Sequence, residues 1–119
     1  MSTNITPGWY WSKGLHDAQI LSYQIVELDY DYKQKNPYRN YLEIKLNPTH
    51  ALMDNKVSSI KFYNFKCNNL QGLKDSWWME DELTYNDKKY LLSLTTAKLD
   101  GEYPKIEILF DFAEVERIK

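Results

Sequence analysis

The sequence predicts an all-β domain: an antiparallel sandwich or open barrel of six to seven strands, with room for one short helix. Three observations point there. Ten Tyr, four Trp and four Phe make up 15% of the chain, and such residues suit a pleated, half-buried surface. Stretches of alternating apolar and polar residues recur about every ten to fifteen residues. Pairs such as Asn86-Asp87 and Asp100-Gly101 stand between them, and their tolerance of positive φ makes them hairpin signals. At 119 residues the chain reads as a single domain, residues 1–119, able to bury one core without disulfides.

The elements come in order along the chain. Residues 19–28 alternate imperfectly: Leu21, Tyr23 and Ile25 share one face, then Val26 and Leu28 take the other. Such a switch predicts a bulge near Ile25 and Val26. A polar, proline-containing loop spans 29–38. Residues 39–46 alternate cleanly, with Leu42, Ile44 and Leu46 on one side and Tyr41, Glu43 and Lys45 on the other. Pro48 ends that strand because it cannot donate to a ladder, and 49–53 has room for one helical turn. A third strand spans 57–67, rich in Ile60, Phe62, Tyr63 and Phe65. Residues 77–85 give a fourth. Its acidic middle leaves a short helix over 73–82 as the competing reading. A strand over 90–97 and a last long one complete the set. In the latter, Ile106, Ile108, Phe110 and Phe112 form a period-2 stripe, and Val115 and Ile118 add a short last strand.

Composition bounds the partners. The net charge is −2, with no basic cluster larger than Lys88-Lys89, which argues against nucleic acid. A lone Cys67 suits a reducing compartment. The N-terminus lacks the basic-then-apolar pattern of a signal peptide, and no apolar run approaches membrane-spanning length. A cytoplasmic protein is the expectation.

Few residues suggest chemistry. Adjacent His16 and Asp17 resemble half of a metal site, yet only His50 and Asp54 stand as further ligands, and a metal needs three or four that converge. The structural reading is preferred: His16 bridges a turn to a neighbouring strand, and Asp17 accepts local backbone N–H groups. Cys67 closes an aromatic strand and reads as a buried, inert thiol. No serine is flanked by glycines, the four glycines stand singly, and nothing marks a carboxylate pair among the 17 acids. No catalytic, cofactor or metal site is expected.

Two aromatic clusters invite a binding role. The first is Trp9, Tyr10 and Trp11, just ahead of Gly14. The second is Trp77 and Trp78, followed by Glu80, Asp81 and Glu82. In a strand Trp77 and Trp78 face opposite sides, so one should lie near the surface. An exposed Trp beside acids suits a basic partner, and Asp29 and Asp31 would join if the first loop folds nearby. The competing reading packs one of the pair into the core and the other beneath Trp9 or Trp11.

The layout resembles a group of small bacterial β domains, some assigned as immunity proteins that neutralise toxins. The residues carrying the resemblance are Leu15-His16-Asp17-Ala18 before the first strand, the aromatic run at 60–69, and the closing run at 108–116. The group usually has Trp directly before His-Asp, where this chain has Leu15. The resemblance implies a fold-fixing His-Asp pair and a protein partner such as a toxin. The expectation is therefore a non-enzymatic protein-binding module acting by occlusion, with homodimerisation open. A carbohydrate- or small-ligand-binding β-sandwich using exposed Trp and Tyr is the alternative.

Overall fold

Alternation in the sequence becomes one curled antiparallel sheet. The computed structural model describes residues 3–4, 7–11, 15–28, 38–47 and 57–117. Its strands are β1 (Thr3–Asn4), β2 (Gln19–Glu27), β3 (Asn40–Asn47), β4 (Val57–Tyr63), β5 (Lys66–Cys67), β6 (Ser76–Asn86), β7 (Lys89–Lys98), β8 (Lys105–Phe110) and β9 (Phe112–Arg117). The hydrogen-bonded order is β5-β8-β7-β6-β2-β3-β4-β9, with β1 paired to β6. The ends of that order meet, because β5 continues β4 past Asn64 and β9 continues β8 past Asp111. Tyr63 lies opposite Phe112, and Lys66 opposite Leu109. The sheet thus wraps one core as a barrel that is open between β2 and β6, where only Gln19 and Ile20 pair with Trp77 and Ser76.

A single sheet replaces the sandwich alternative, and the count exceeds the six to seven strands expected. The excess is the short β1 and one broken strand, while β9 answers to the short last strand expected at Val115. Asn64 adopts φ 54° and splits the strand expected over 57–67. At Asp111 the chain bends, and its N–H donates to the Tyr63 carbonyl at 3.0 Å.

That bend also corrects the closing stripe. Ile106, Ile108 and Phe110 are wholly buried, but Phe112 is 40% exposed and Ala113 takes the inner place. A one-residue irregularity reverses every later side chain. The bulge in β2 sits at Leu21, between Ile20 and Ser22, and not at Ile25 and Val26. It falls where β2 parts from β6, and a bulge supplies the bend that parting needs.

The helix considered over 73–82 is not formed. A 3-10 turn occupies Leu70–Leu73, and β6 starts at Ser76 despite its acids, since β7 pairs along its whole length. Gly72 meets the sheet so closely that a Cβ there would come within 2.9 Å of Ile106. The β6–β7 hairpin turns on Asp87 and Lys88, at φ 52° and 64°, one residue later than expected, because Asn86 still pairs with Lys89. In the β7–β8 loop Gly101 takes φ 90°. The loop over 29–37, the helical turn over 49–53 and Ile118 lie outside the described residues.

The core holds Trp11, Leu15, Leu42, Ile44, Ile60, Phe62, Trp78, Leu92, Leu94 and Phe110 in one cluster. Leu42, Ile44 and Leu46 point inward as expected. Glu43 lies on the outer face, yet it is buried there, and Gln24 Nε2 donates to its Oε1 at 2.6 Å.

Candidate functional site

The tryptophans and the acids do come together, but inside the barrel. In β6 the register skips between Trp78 and Glu80, so Met79 is a bulge. Without it Trp78 and Asp81 would face opposite sides; with it both face inward, while Glu80 and Glu82 face out. Asp81 Oδ2 accepts the indole N–H of Trp78 at 2.7 Å and that of Trp11 at 2.8 Å. Its Oδ1 accepts the hydroxyl of Tyr10. A buried indole needs such a partner, and one carboxylate serves two of them and a phenol.

The rings interlock. Trp11 meets Trp78 edge-on at 5.4 Å, and Trp9 lies 5.3 Å from Tyr90 and 5.8 Å from Phe110. Burial, then the bond to Asp81, then the charges of Asp81 and Glu82 push the Tyr10 phenol far above its ordinary range. Tyr10 therefore keeps its proton and remains a donor. Residues 7–11 bring these rings onto β6 beside the opening between β2 and β6.

Of the four tryptophans expected as surface anchors, two are buried and two half-buried. Trp11 and Trp78 are buried, Trp9 is half-buried against Tyr90 and Phe110, and Asp81 points inward because of the bulge. Trp77 faces outward, half-buried, between Gln19 and Ala97 in the ladder.

The His-Asp pair stitches this segment to β6. His16 Nδ1 lies 2.6 Å from the Met79 carbonyl; a carbonyl only accepts, so Nδ1 carries the proton. Asp17 takes φ 73°, and its backbone N–H donates to the Trp78 carbonyl at 2.7 Å. The Trp78 N–H returns a bond to the Ala18 carbonyl at 2.8 Å. His16 thus bridges to a neighbouring strand as expected, whereas Asp17 contributes its backbone. Asp17 Oδ2 stands 3.7 Å from His16 Nε2. His50 and Asp54, the other candidate ligands, lie outside the described residues, as do Asp29, Asp31 and Gly14.

Glu80 and Glu82 line a groove of about 1130 Å³ across β6, β7 and β8, with Ser93, Thr95, Lys105 and Glu107. Burial pushes the Cys67 thiol up to about 11, so at neutral pH it is a thiol and a poor nucleophile. Among the described residues no group of three His, Cys, Asp or Glu could hold a metal ion, and no helix is long and apolar enough to cross a membrane.

One aromatic surface escaped the sequence reading. On the outer face of β2, β3, β4 and β9, register aligns Val26, Tyr41, Tyr63 and Phe112 in one row. Tyr38 lies 4.8 Å from Tyr63 and nearly parallel to Phe112, at 11° and 6.4 Å. The next row is Gln24, Glu43, Lys61 and Glu114. Lys61 reaches Glu114 at 4.0 Å and lies 5.1 Å from the Tyr41 ring centre.

The bend that exposes Phe112 is itself held. Asp111 accepts bonds from Lys89 Nζ and, at 2.9 Å, from Asn64 Nδ2. Burial alone would raise the Asp111 carboxyl, but the two bonds and the Lys89 charge outweigh it and hold the carboxyl below its ordinary range. Alternation does place Tyr41 outward in the sequence; the alignment with Tyr63 and Phe112 depends on strand pairing.

The chain matches no family model, no curated protein and no solved structure.

Proposed function

We propose that this chain is a non-enzymatic protein-binding module that covers a partner's surface with the aromatic row of its outer face. The single observation carrying this is the set Tyr38, Tyr41, Tyr63 and Phe112 on a rigid sheet, bordered by Lys61 and Glu114. Tyrosines offer wide, amphipathic contact at low entropic cost, and a central aromatic cluster with a charged rim is the usual anatomy of an interface. The Asp111 bend favours this reading as well, since three groups converge to hold the turn that presents Phe112. Occlusion needs shape and chemistry of surface only, as when an immunity protein covers a toxin, and a toxin is the partner we propose. The lone Cys67 suits work in the cytoplasm. A sugar-stacking platform is the second reading, favoured by the near-parallel rings of Tyr38 and Phe112.

Photocrosslinking tests it. A benzoylphenylalanine at position 112, in the cells that make the protein, should trap one dominant protein. That protein, once purified, should bind wild type with an affinity that Phe112→Ala and Tyr63→Ala each weaken about thirtyfold, near 2 kcal/mol. Absence of any trapped protein, or unchanged affinity, contradicts the proposal. Glycan binding lost in Phe112→Ala would establish the second reading in its place.

A further inference from the structure

We infer that the free edge of β2 is the seam of a homodimer, in which a second copy lays its own β2 antiparallel across a twofold axis. β2 pairs with β3 along its length, from Gln19 to Glu27. On its other side only Gln19 and Ile20 have partners, in β6. From Leu21 to Glu27 that side meets no second strand among the described residues. The corresponding edge of β6 is occupied: Asp17 and His16 bond its Trp78 and Met79 carbonyls, and β1 pairs with Thr84 and Tyr85.

An open strand edge is a template for pairing, and folded proteins blunt theirs with charges, proline or cover. Over six residues this edge has neither charge nor proline, and from Leu21 onward no described strand covers it. Leu21-Ser22-Tyr23-Gln24-Ile25-Val26 contains no charge and no proline. Leu21 is 57% exposed and Ile25 46%. The bulge at Leu21 ends the pairing with β6 and leaves the edge from Ser22 onward without a second strand among the described residues.

The occupant is a second copy because this strand complements itself in charge and shape. With Tyr23 opposite Tyr23, Leu21 faces Ile25 and Ser22 faces Gln24, each twice by symmetry. The pairing ends there, because Ile20 and Gln19 are already held by β6, and no like charges oppose within it. A charged strand would set its charges against exposed Leu21 and Ile25. Twofold pairing is also the commonest way for identical chains to close, and the five residues from Leu21 to Ile25 give a seam of about 17 Å. The axis stands normal to the sheet, so both outer faces look the same way. The rows from Val26 to Phe112 of the two copies then form one surface. The dimer stands whether or not that surface binds a partner.

Sedimentation velocity on the full chain between about 1 and 300 µM, with far-UV circular dichroism as a fold check, decides it. Wild type should shift from monomer to dimer with concentration, and the double variant Leu21→Lys/Ile25→Lys should dissociate at least a hundredfold more readily with its fold intact. Should that variant unfold, Tyr23→Cys in a Cys67→Ser background takes its place, and mild oxidation should link it into a dimer across the axis. A wild type that stays monomeric overturns the inference, as does a dimer that the two lysines leave unchanged. If the lysine variant has unfolded, failure of Tyr23→Cys to crosslink overturns it too.

Discussion

The barrel carries two aromatic clusters built on opposite principles. In the inner one, Trp9, Tyr10, Trp11 and Trp78, the rings pack into or against the core, and Asp81 collects the donors of Tyr10, Trp11 and Trp78. The outer one, Tyr38, Tyr41, Tyr63 and Phe112, has its rings on the sheet's outer face beside Lys61 and Glu114. Each is placed by one backbone irregularity. The bulge at Met79 turns Asp81 inward, and the bend at Asp111 turns Phe112 outward. Ring content alone does not say which aromatics bind and which pack; the irregularities decide.

The largest effect should come from the pair that differs only by that bend. Phe110→Ala empties a wholly buried site touching Phe62 and Trp9 and should cost about 3–5 kcal/mol in urea unfolding. Phe112→Ala, two residues on, should cost no more than about 0.5 kcal/mol. Equal losses would break the distinction between the clusters.

Next comes Asp81→Ala, which removes the carboxylate that two buried indole N–H groups share. A loss of about 3 kcal/mol is expected, with Asp81→Asn losing less because its carbonyl oxygen still accepts. Tyr10→Phe should lose about 1 kcal/mol. The same unfolding series reads all three.

Most of the architecture was legible in the chain: the strands, their inward stripes and the late hairpins arise from alternation and turn residues. The exceptions were irregular positions. Met79 carries no turn signal, so the inward aim of Asp81 could not be read. Leu21 lies in an apolar run whose break depends on β2 leaving β6. Asp111 interrupts a strict period-2 stripe, and its role becomes visible only once Asn64 and Lys89 stand beside it. The candidate site was legible in part. Trp77, Glu80 and Glu82 share the outward face that an exposed Trp beside acids requires. The joining of Trp11 to Trp78 and Asp81 links residues far apart in the chain and could not be read from it. The outer row was missed because cross-strand register is a tertiary fact.

The bend itself has a pH signature. Its carboxyl is charged in the fold at lower pH than in the unfolded chain, so its contribution is complete above the unfolded value of about 3.9. It is lost as pH falls through the lowered folded value. Stability measured from pH 6 downward should therefore drop less steeply in Asp111→Asn than in wild type. Parallel curves would remove Asp111 as the brace of Phe112.

Smallest is the effect at Cys67. Its alkylation rate should keep rising with pH toward a midpoint near 11, where an exposed thiol levels off near 8.5. A midpoint near 8.5 would show a loosely held β5.

The most direct test is a paired titration of the partner trapped from position 112 against Phe112→Ala and Tyr10→Phe, with melting temperatures recorded beside each. The account predicts about thirtyfold weaker binding and a nearly unchanged melting temperature for Phe112→Ala, and the reverse for Tyr10→Phe. Loss of binding in Tyr10→Phe at unchanged stability, with Phe112→Ala binding as wild type, would contradict it.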